Sequence, residues 1–220
     1  RANMRGLNLN DGSLYQADLR YADLSRSLMY RVNLSRSSLY KANLSDITMR
    51  EADLTWANFR RVNLETADLR ASRGIGADLS EANMRMAKLD GIDLSGANLA
   101  LANLAGASLR AAKLISTNLW GADLEKANLE WTTLTGADVT SANLRSANLY
   151  EAKLNETNLN GANLNFANLS GVLGLGVNLN RANLNGATLR GATLHRESLT
   201  QVIFCKTTMP DETLNISGCK

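Results

Sequence analysis

The chain of 220 residues holds one proline, one histidine and two cysteines, and aromatic residues make up only 5% of it. A near-absence of proline, Pro210 alone, suits a chain whose backbone amides mostly serve a hydrogen-bonded ladder, since each proline removes a donor. No His, Cys and carboxylate set has the spacing of a metal site, so no metal and no cofactor is expected. No window of 18 apolar residues occurs, which excludes a membrane-spanning helix. The glycine pairs Gly74-Ile75-Gly76 and Gly174-Leu175-Gly176 lack GxGxxG spacing and no helix pattern follows them, which excludes a phosphate loop.

What the chain has instead is a period of five. From Met4 to Met209, 42 positions follow at intervals of five without insertion or deletion; 40 are apolar and 32 are Leu. Gly74 and Gly174 are the two exceptions. Two residues before most of the 42 comes a small residue, Ala in 25 cases, as in Ala17-Asp18-Leu19, Ala122-Asp123-Leu124 and Ala162-Asn163-Leu164.

Neither regular structure accommodates this period. Five residues of α-helix turn about 500°, so successive leucines drift about 140° and form no stripe. In a flat strand a five-residue step sends each Leu to the opposite face. The pattern works if the chain turns a corner once per repeat. The small residue and the Leu then point inward, and the polar residue between them and the two corner residues point outward. Four corners close a coil of twenty residues, and coils stack at about 4.8 Å, the inter-strand spacing. A short repeat that buries its face only against its neighbours marks a solenoid.

The A-(D/N)-L-x-x repeat resembles the pentapeptide-repeat proteins over nearly the whole chain. The resemblance implies an all-β fold: a right-handed quadrilateral parallel β-helix of about ten coils, roughly 50 Å long. The expected division is a β-helix over 1–204 and a C-terminal capping tail over 205–220. With so narrow a bore, Leu and Ala fit and rings rarely do.

Every twentieth residue forms a column. One outward column runs Asn3, Asp23, Asn43, Asn63, Asn83, Asn103, Asp123, Asn143, Asn163, Asn183, a stacked amide ladder that favours in-register stacking. Another reads Asp53, Arg73, Asp93, Lys113, for which an alternating ionic ladder is expected. The corners are more suggestive of binding. One edge carries Arg20, Tyr21, Tyr40, Lys41, Arg60 and Arg61, the candidate interaction surface, on three successive coils. The opposite edge carries Tyr30, Arg31, Arg50 and Arg70. Residues 1–73 hold 12 basic and 8 acidic side chains, whereas residues 74–180 hold 7 and 10. Cations interleaved with rings could meet phosphates or an acidic protein face; the alternative is a solvated edge with local cation–π contacts. The two central glycines lie five coils apart, and Ile75 and Leu175 are expected to swing inward there through a local bulge.

The pattern fails at the C-terminus. Glu197 stands where a small inward residue belongs, so the bore is expected to open there. Phe204 replaces Leu, Pro210 stops the ladder, and Asp211–Lys220 no longer fits. This tail is expected to cover the last coil's edges. Cys205 and Cys219 bracket it, and a bridge between them would close a 15-residue loop worth about 3 kcal/mol in the chain-entropy model; free thiols are the alternative. The bracketed run Thr207-Thr208-Met209-Pro210-Asp211 resembles the ends of cyanobacterial and chloroplast-lumen members of the family. At the other end Arg1 is followed at once by Ala2-Asn3-Met4, already in register, with no initiator Met or signal sequence. The expectation is that an export signal was removed or the sequence was cut. Together with a bridge, this suggests periplasm or thylakoid lumen, with the cytoplasm as the alternative.

No catalytic constellation is present. His195 falls at a solvated corner, and a rigid convex rod offers no cleft in which to shift a pKa. The Asn-x-Ser/Thr matches at Asn33, Asn43, Asn155, Asn168 and Asn215 mostly follow from Asn-Leu-Ser being a repeat variant, and do not point to glycosylation. The expected function is that of a non-enzymatic structural or protein-interaction rod with an unidentified protein partner. No nucleic-acid partner is expected, and the state is monomer or end-to-end dimer. Two alternatives stand. Some members of the family mimic DNA and act on type II topoisomerases, but mimicry needs an acidic surface and this chain carries a net charge of +3. The other alternative is an enzyme.

Overall fold

The computed structural model describes residues 2–219; Arg1 and Lys220, and the side chains of Arg196 and Glu197, lie outside the description. The expectation attached to the Glu197 side chain therefore lies outside it too.

Each five-residue unit turns one corner. Gly12 N–H donates to Leu9 O (3.1 Å), Ala17 to Leu14 (3.0 Å) and Ala22 to Leu19 (3.1 Å), a hydrogen bond that closes each turn over two corner residues. The second corner residue takes positive φ, as a type II turn requires. Glycine is the easy occupant, yet Trp56 (φ 57°), Arg61 (58°) and Thr66 (58°) adopt the same angle. Bonds to the following coil hold them there, Trp56 N–H to Ile75 O (3.0 Å) and Arg61 N–H to Ser80 O (3.0 Å).

Four units close a coil. Parallel pairing recurs at intervals of twenty residues, from Asn3 with Asp23, Asn8 with Leu28, Ser13 with Asn33 and Asp18 with Ser38 onward to Asn183 with Ile203 and Thr188 with Thr208. The strands are single pairs except for β1 (Leu173–Gly174) against β2 (Thr193–Leu194). Between Thr193 and Ile203 the ladder gives way to a 3-10 turn, Arg196–Leu199. Past it, β3 (Thr207–Thr208) pairs antiparallel with β4 (Leu214–Asn215).

The core is a column of Leu and Ala running the length of the solenoid, with one fully buried ring, Phe59. Where Ser or Thr takes the small inward position, its hydroxyl finds a backbone carbonyl: Thr117 donates to Leu94 O (2.8 Å), Thr157 to Leu134 O (2.8 Å) and Thr207 to Leu184 O (2.7 Å) of the preceding coil, and Thr132 to Leu129 O (2.7 Å) of its own turn. Buried hydroxyls are tolerated on that condition.

Two expectations are corrected. Ile75 and Leu175 do not swing inward: Leu175 is 48% exposed and Ile75 half-buried. No bulge forms, because Gly74 N–H keeps its bond to Asp93 O (2.7 Å). The vacant side-chain space is taken by the next coil's leucine. A Cβ on Gly74 would lie 2.8 Å from Leu94 Cδ2, and one on Gly174 2.5 Å from Leu194 Cδ2. The ionic ladder of Asp53, Arg73, Asp93 and Lys113 reduces, among the described residues, to Lys113 with Asp93 (3.6 Å). Asp53 instead accepts from the Thr55 N–H and hydroxyl two residues on, a shorter reach than the next coil.

Candidate interaction surface

The outward polar residue between Ala and Leu does two jobs. Its Oδ1 accepts the N–H two residues on, which caps the corner, and an Asn Nδ2 donates to the same column of the preceding coil. Asn43 donates to Asp23 (3.1 Å), Asn63 to Asn43 (3.1 Å) and Asn83 to Asn63 (3.0 Å). These amides are spent within the solenoid, which leaves the corners as the variable surface.

On the edge that carries the candidate residues, the corner side chains interact along the rod. Arg60 and Arg61 converge on Glu81 of the following coil, at 2.7 Å each. Arg61 also reaches the Tyr40 hydroxyl (3.5 Å). Tyr40 packs edge-on against Tyr21, ring centroids 5.7 Å apart, and carries Lys41 over its face at 5.4 Å. Arg20 does not join this chain of contacts; it turns back onto Asp18 (2.6 Å). Beside Tyr21 and Lys41, with Ala22, Asp23 and Asn43, lies a shallow hollow of about 290 Å³.

The electrostatics follow the contacts. Hydrogen bonds from Arg20 hold the Asp18 carboxyl at about 2. Hydrogen bonds from Arg61 and Arg60 keep Glu81 below the usual carboxylate range. At Tyr40 burial acts to raise the hydroxyl, but the Arg61 hydrogen bond and the Lys41 charge outweigh it and the net shift is downward. The edge thus sets Arg20, Lys41, Arg60 and Arg61 against two carboxylates that pair with them, Asp18 and Glu81, and Lys41 projects without an ion-pair partner among the described residues.

On the opposite edge each of the three arginines has a carboxylate partner. Arg31 bonds Asp11 (2.6 Å) and lies over Tyr30 at 4.5 Å. Arg50 and Arg70 clasp Asp68 from successive coils, at 2.7 and 2.8 Å. Burial alone would raise the Asp68 carboxyl, but the two guanidiniums drive it far below the usual range. Glu81 and Asp68 were missed as counter-charges by sequence reasoning, although each stands about one coil from an arginine it binds. A second missed feature is a stacking rule. Trp56, Met86, Leu101 and Phe166 lean over Gly76, Gly106, Gly121 and Gly186, twenty residues on, where any Cβ would collide with them. At these four corners a large side chain covers a glycine of the next coil, whereas Trp131 stands over Glu151 and donates to it (3.1 Å). His195 is exposed beside the 3-10 turn. Among the described residues, no three His, Cys, Asp or Glu side chains converge on one point, and no helix is long and apolar enough to cross a membrane.

Comparison with known proteins agrees with this architecture. The family described as pentapeptide repeats matches over residues 1–36, 27–65, 57–100, 102–140, 140–173, 158–196 and 176–204. Among solved structures, the chain is similar to HetL, a pentapeptide repeat protein involved in heterocyst differentiation regulation from the cyanobacterium Nostoc sp. strain PCC 7120. The identity is 32% over 97% of this chain and 92% of that one, with a TM-score of 0.47. It is similar in fold to a trypsin-treated form of QnrB1, a plasmid-mediated fluoroquinolone resistance protein, at 20% identity over 90% and 88% of the two chains, with a TM-score of 0.52. A pentapeptide repeat protein from the thylakoid lumen of Arabidopsis thaliana matches at 26% identity over 56% of this chain and 72% of its own, TM-score 0.35. No curated protein matches the sequence.

Proposed function

The chain belongs to the pentapeptide-repeat family, whose right-handed four-sided β-helix it shares, and on that premise we propose that it serves as a non-enzymatic protein-interaction rod. The contact surface in this proposal is the edge of Arg20, Tyr21, Tyr40, Lys41, Arg60 and Arg61, and the partner is a protein with an acidic face. One observation supports this edge over the opposite one. It leaves Lys41 without an ion-pair partner among the described residues, exposed with Tyr21 beside a shallow hollow, whereas each of the opposite arginines is paired with Asp11 or Asp68.

Such a surface steers partners by charge and weakens with salt. On a cation exchanger, the triple variant Arg20→Glu, Arg60→Glu, Arg61→Glu should elute at clearly lower salt than the parent and lose its partner in affinity capture from the native source. Unchanged retention and capture would end the assignment of this edge. DNA mimicry is the competing function, and a gyrase supercoiling assay separates the two: inhibition at low micromolar protein would favour mimicry. The Cys205–Cys219 bridge, with S–S 2.05 Å, supports an oxidising compartment, periplasm or thylakoid lumen, as the place of action.

A further inference from the structure

The segment after the last coil is held by little besides one covalent link. Residues 211–219 are exposed throughout, apart from the half-buried Asn215. Leu214 and Ile216 are each 61% exposed, so the tail brings no apolar side chain into the bore. Its hydroxyls bond within the tail itself, Thr213 to Asp211 and Ser217 to Asn215. Among the described residues its noncovalent hold on the solenoid is the short β3–β4 pairing, the bonds from Met209 N–H to Thr213 O (2.8 Å) and from Glu212 N–H to Met209 O (3.0 Å), and Gly218 laid flat on the Phe204 backbone. A two-stranded pairing of that length is marginal in water.

What the tail covers is different in kind. Phe204 and Thr207 beneath it are buried, and Thr207 is anchored downward to Leu184 O (2.7 Å), so the last coil is fastened to the solenoid independently of the tail. The groups that the tail satisfies, such as Met209 N–H, belong to a strand edge. An uncovered edge of this kind is a template for strand addition by another chain. The bridge that closes it is open to attack, since Cys219 is exposed while Cys205 is half-buried.

We propose that the Cys205–Cys219 bridge is a redox latch that decides whether the C-terminal strand edge of the solenoid is covered or presented. A dithiol reductant opens it in two steps. Its thiolate attacks the exposed Cys219 sulfur, the S–S bond breaks, and the electron pair leaves on Cys205, which takes up a proton. The second thiol of the reductant, as thiolate, then attacks the mixed disulfide and displaces Cys219, which is protonated in turn. Two electrons pass to the protein and the reductant becomes a cyclic disulfide. Residues 211–219 then detach from the coil that ends at Met209.

Hydrogen exchange on the folded full chain, with and without dithiothreitol and without denaturant, tests this. Alkylation should trap two thiols in the reduced sample. The amides of Met209 and of residues 212–219 should exchange at least tenfold faster after reduction, while those from Leu44 to Leu164 stay unchanged. The Cys219→Ser variant should reproduce the reduced pattern. Unaltered protection of the tail after both thiols are trapped, resistance of the bridge to the reductant in the folded protein, or a loss of protection that spreads through the solenoid would each overturn the latch.

Discussion

Asn63 shows how much a single outward residue carries. Its Oδ1 caps the Glu65 N–H (3.2 Å) and receives Asn83, while its Nδ2 donates to Asn43. An Asn63→Asp change keeps the cap and removes the donor, and it sets a carboxylate against the Asn43 oxygen. Urea unfolding should show a loss of about 1–2 kcal/mol, from the hydrogen bond and the acceptor left facing an acceptor. Asp68 gives a pH-dependent counterpart. Its carboxyl, and that of Asp18 at about 2, lie below their unfolded values. A depressed folded pKa contributes stability that is fully present above about pH 4, the unfolded value, and is lost as pH falls through the folded value. Melting temperature should therefore drop from about pH 4 towards 2, and Asp68→Asn should flatten that slope while lowering stability at pH 7.

At the scale of the coil, the glycines test whether the bore is filled from neighbouring coils. Leu94 already occupies the space beside Gly74, so Gly74→Leu should overpack the column and cost about 1–3 kcal/mol, where a vacant site would be stabilised by the same change. Removing whole units tests the columns. Deleting residues 121–140 keeps every later residue on its own face and should leave a cooperative melt. The coil was legible in the sequence because Leu and Ala repeat without a slip and the twenty-residue columns align Asn with Asn. Fates of individual side chains were not. Whether Asp53 bonds Thr55 or Arg73, and whether Ile75 or Leu94 fills the space at Gly74, depends on reach and local volume, which a period does not encode.

For the molecule as a whole, the repeat that makes the fold legible also conceals its use. Inward positions and the amide columns are fixed by stacking, so the corners alone remain free to specify a partner. The edge of Arg20 to Arg61 was visible as a cluster of cations and rings. Its partial neutralisation by Glu81, and the pairing of Arg31, Arg50 and Arg70 on the opposite edge with Asp11 and Asp68, became apparent only once residues on adjacent coils were placed side by side. The bracketing cysteines were readable as a staple because they flank the point where the repeat stops.

The twenty-residue winding underlies every one of these statements, and nitroxide pairs measure it directly. The described cysteines are bridged, so engineered cysteines alone take the label. Labels at Thr133 and Lys153, paired on successive coils, have backbones only about 5 Å apart and should give a strongly dipolar-broadened spectrum in frozen solution. Labels at Thr133 and Asn143, ten residues apart and on opposite sides of the tube, should show no such broadening. Strong broadening in the second pair with none in the first would contradict the four-sided solenoid.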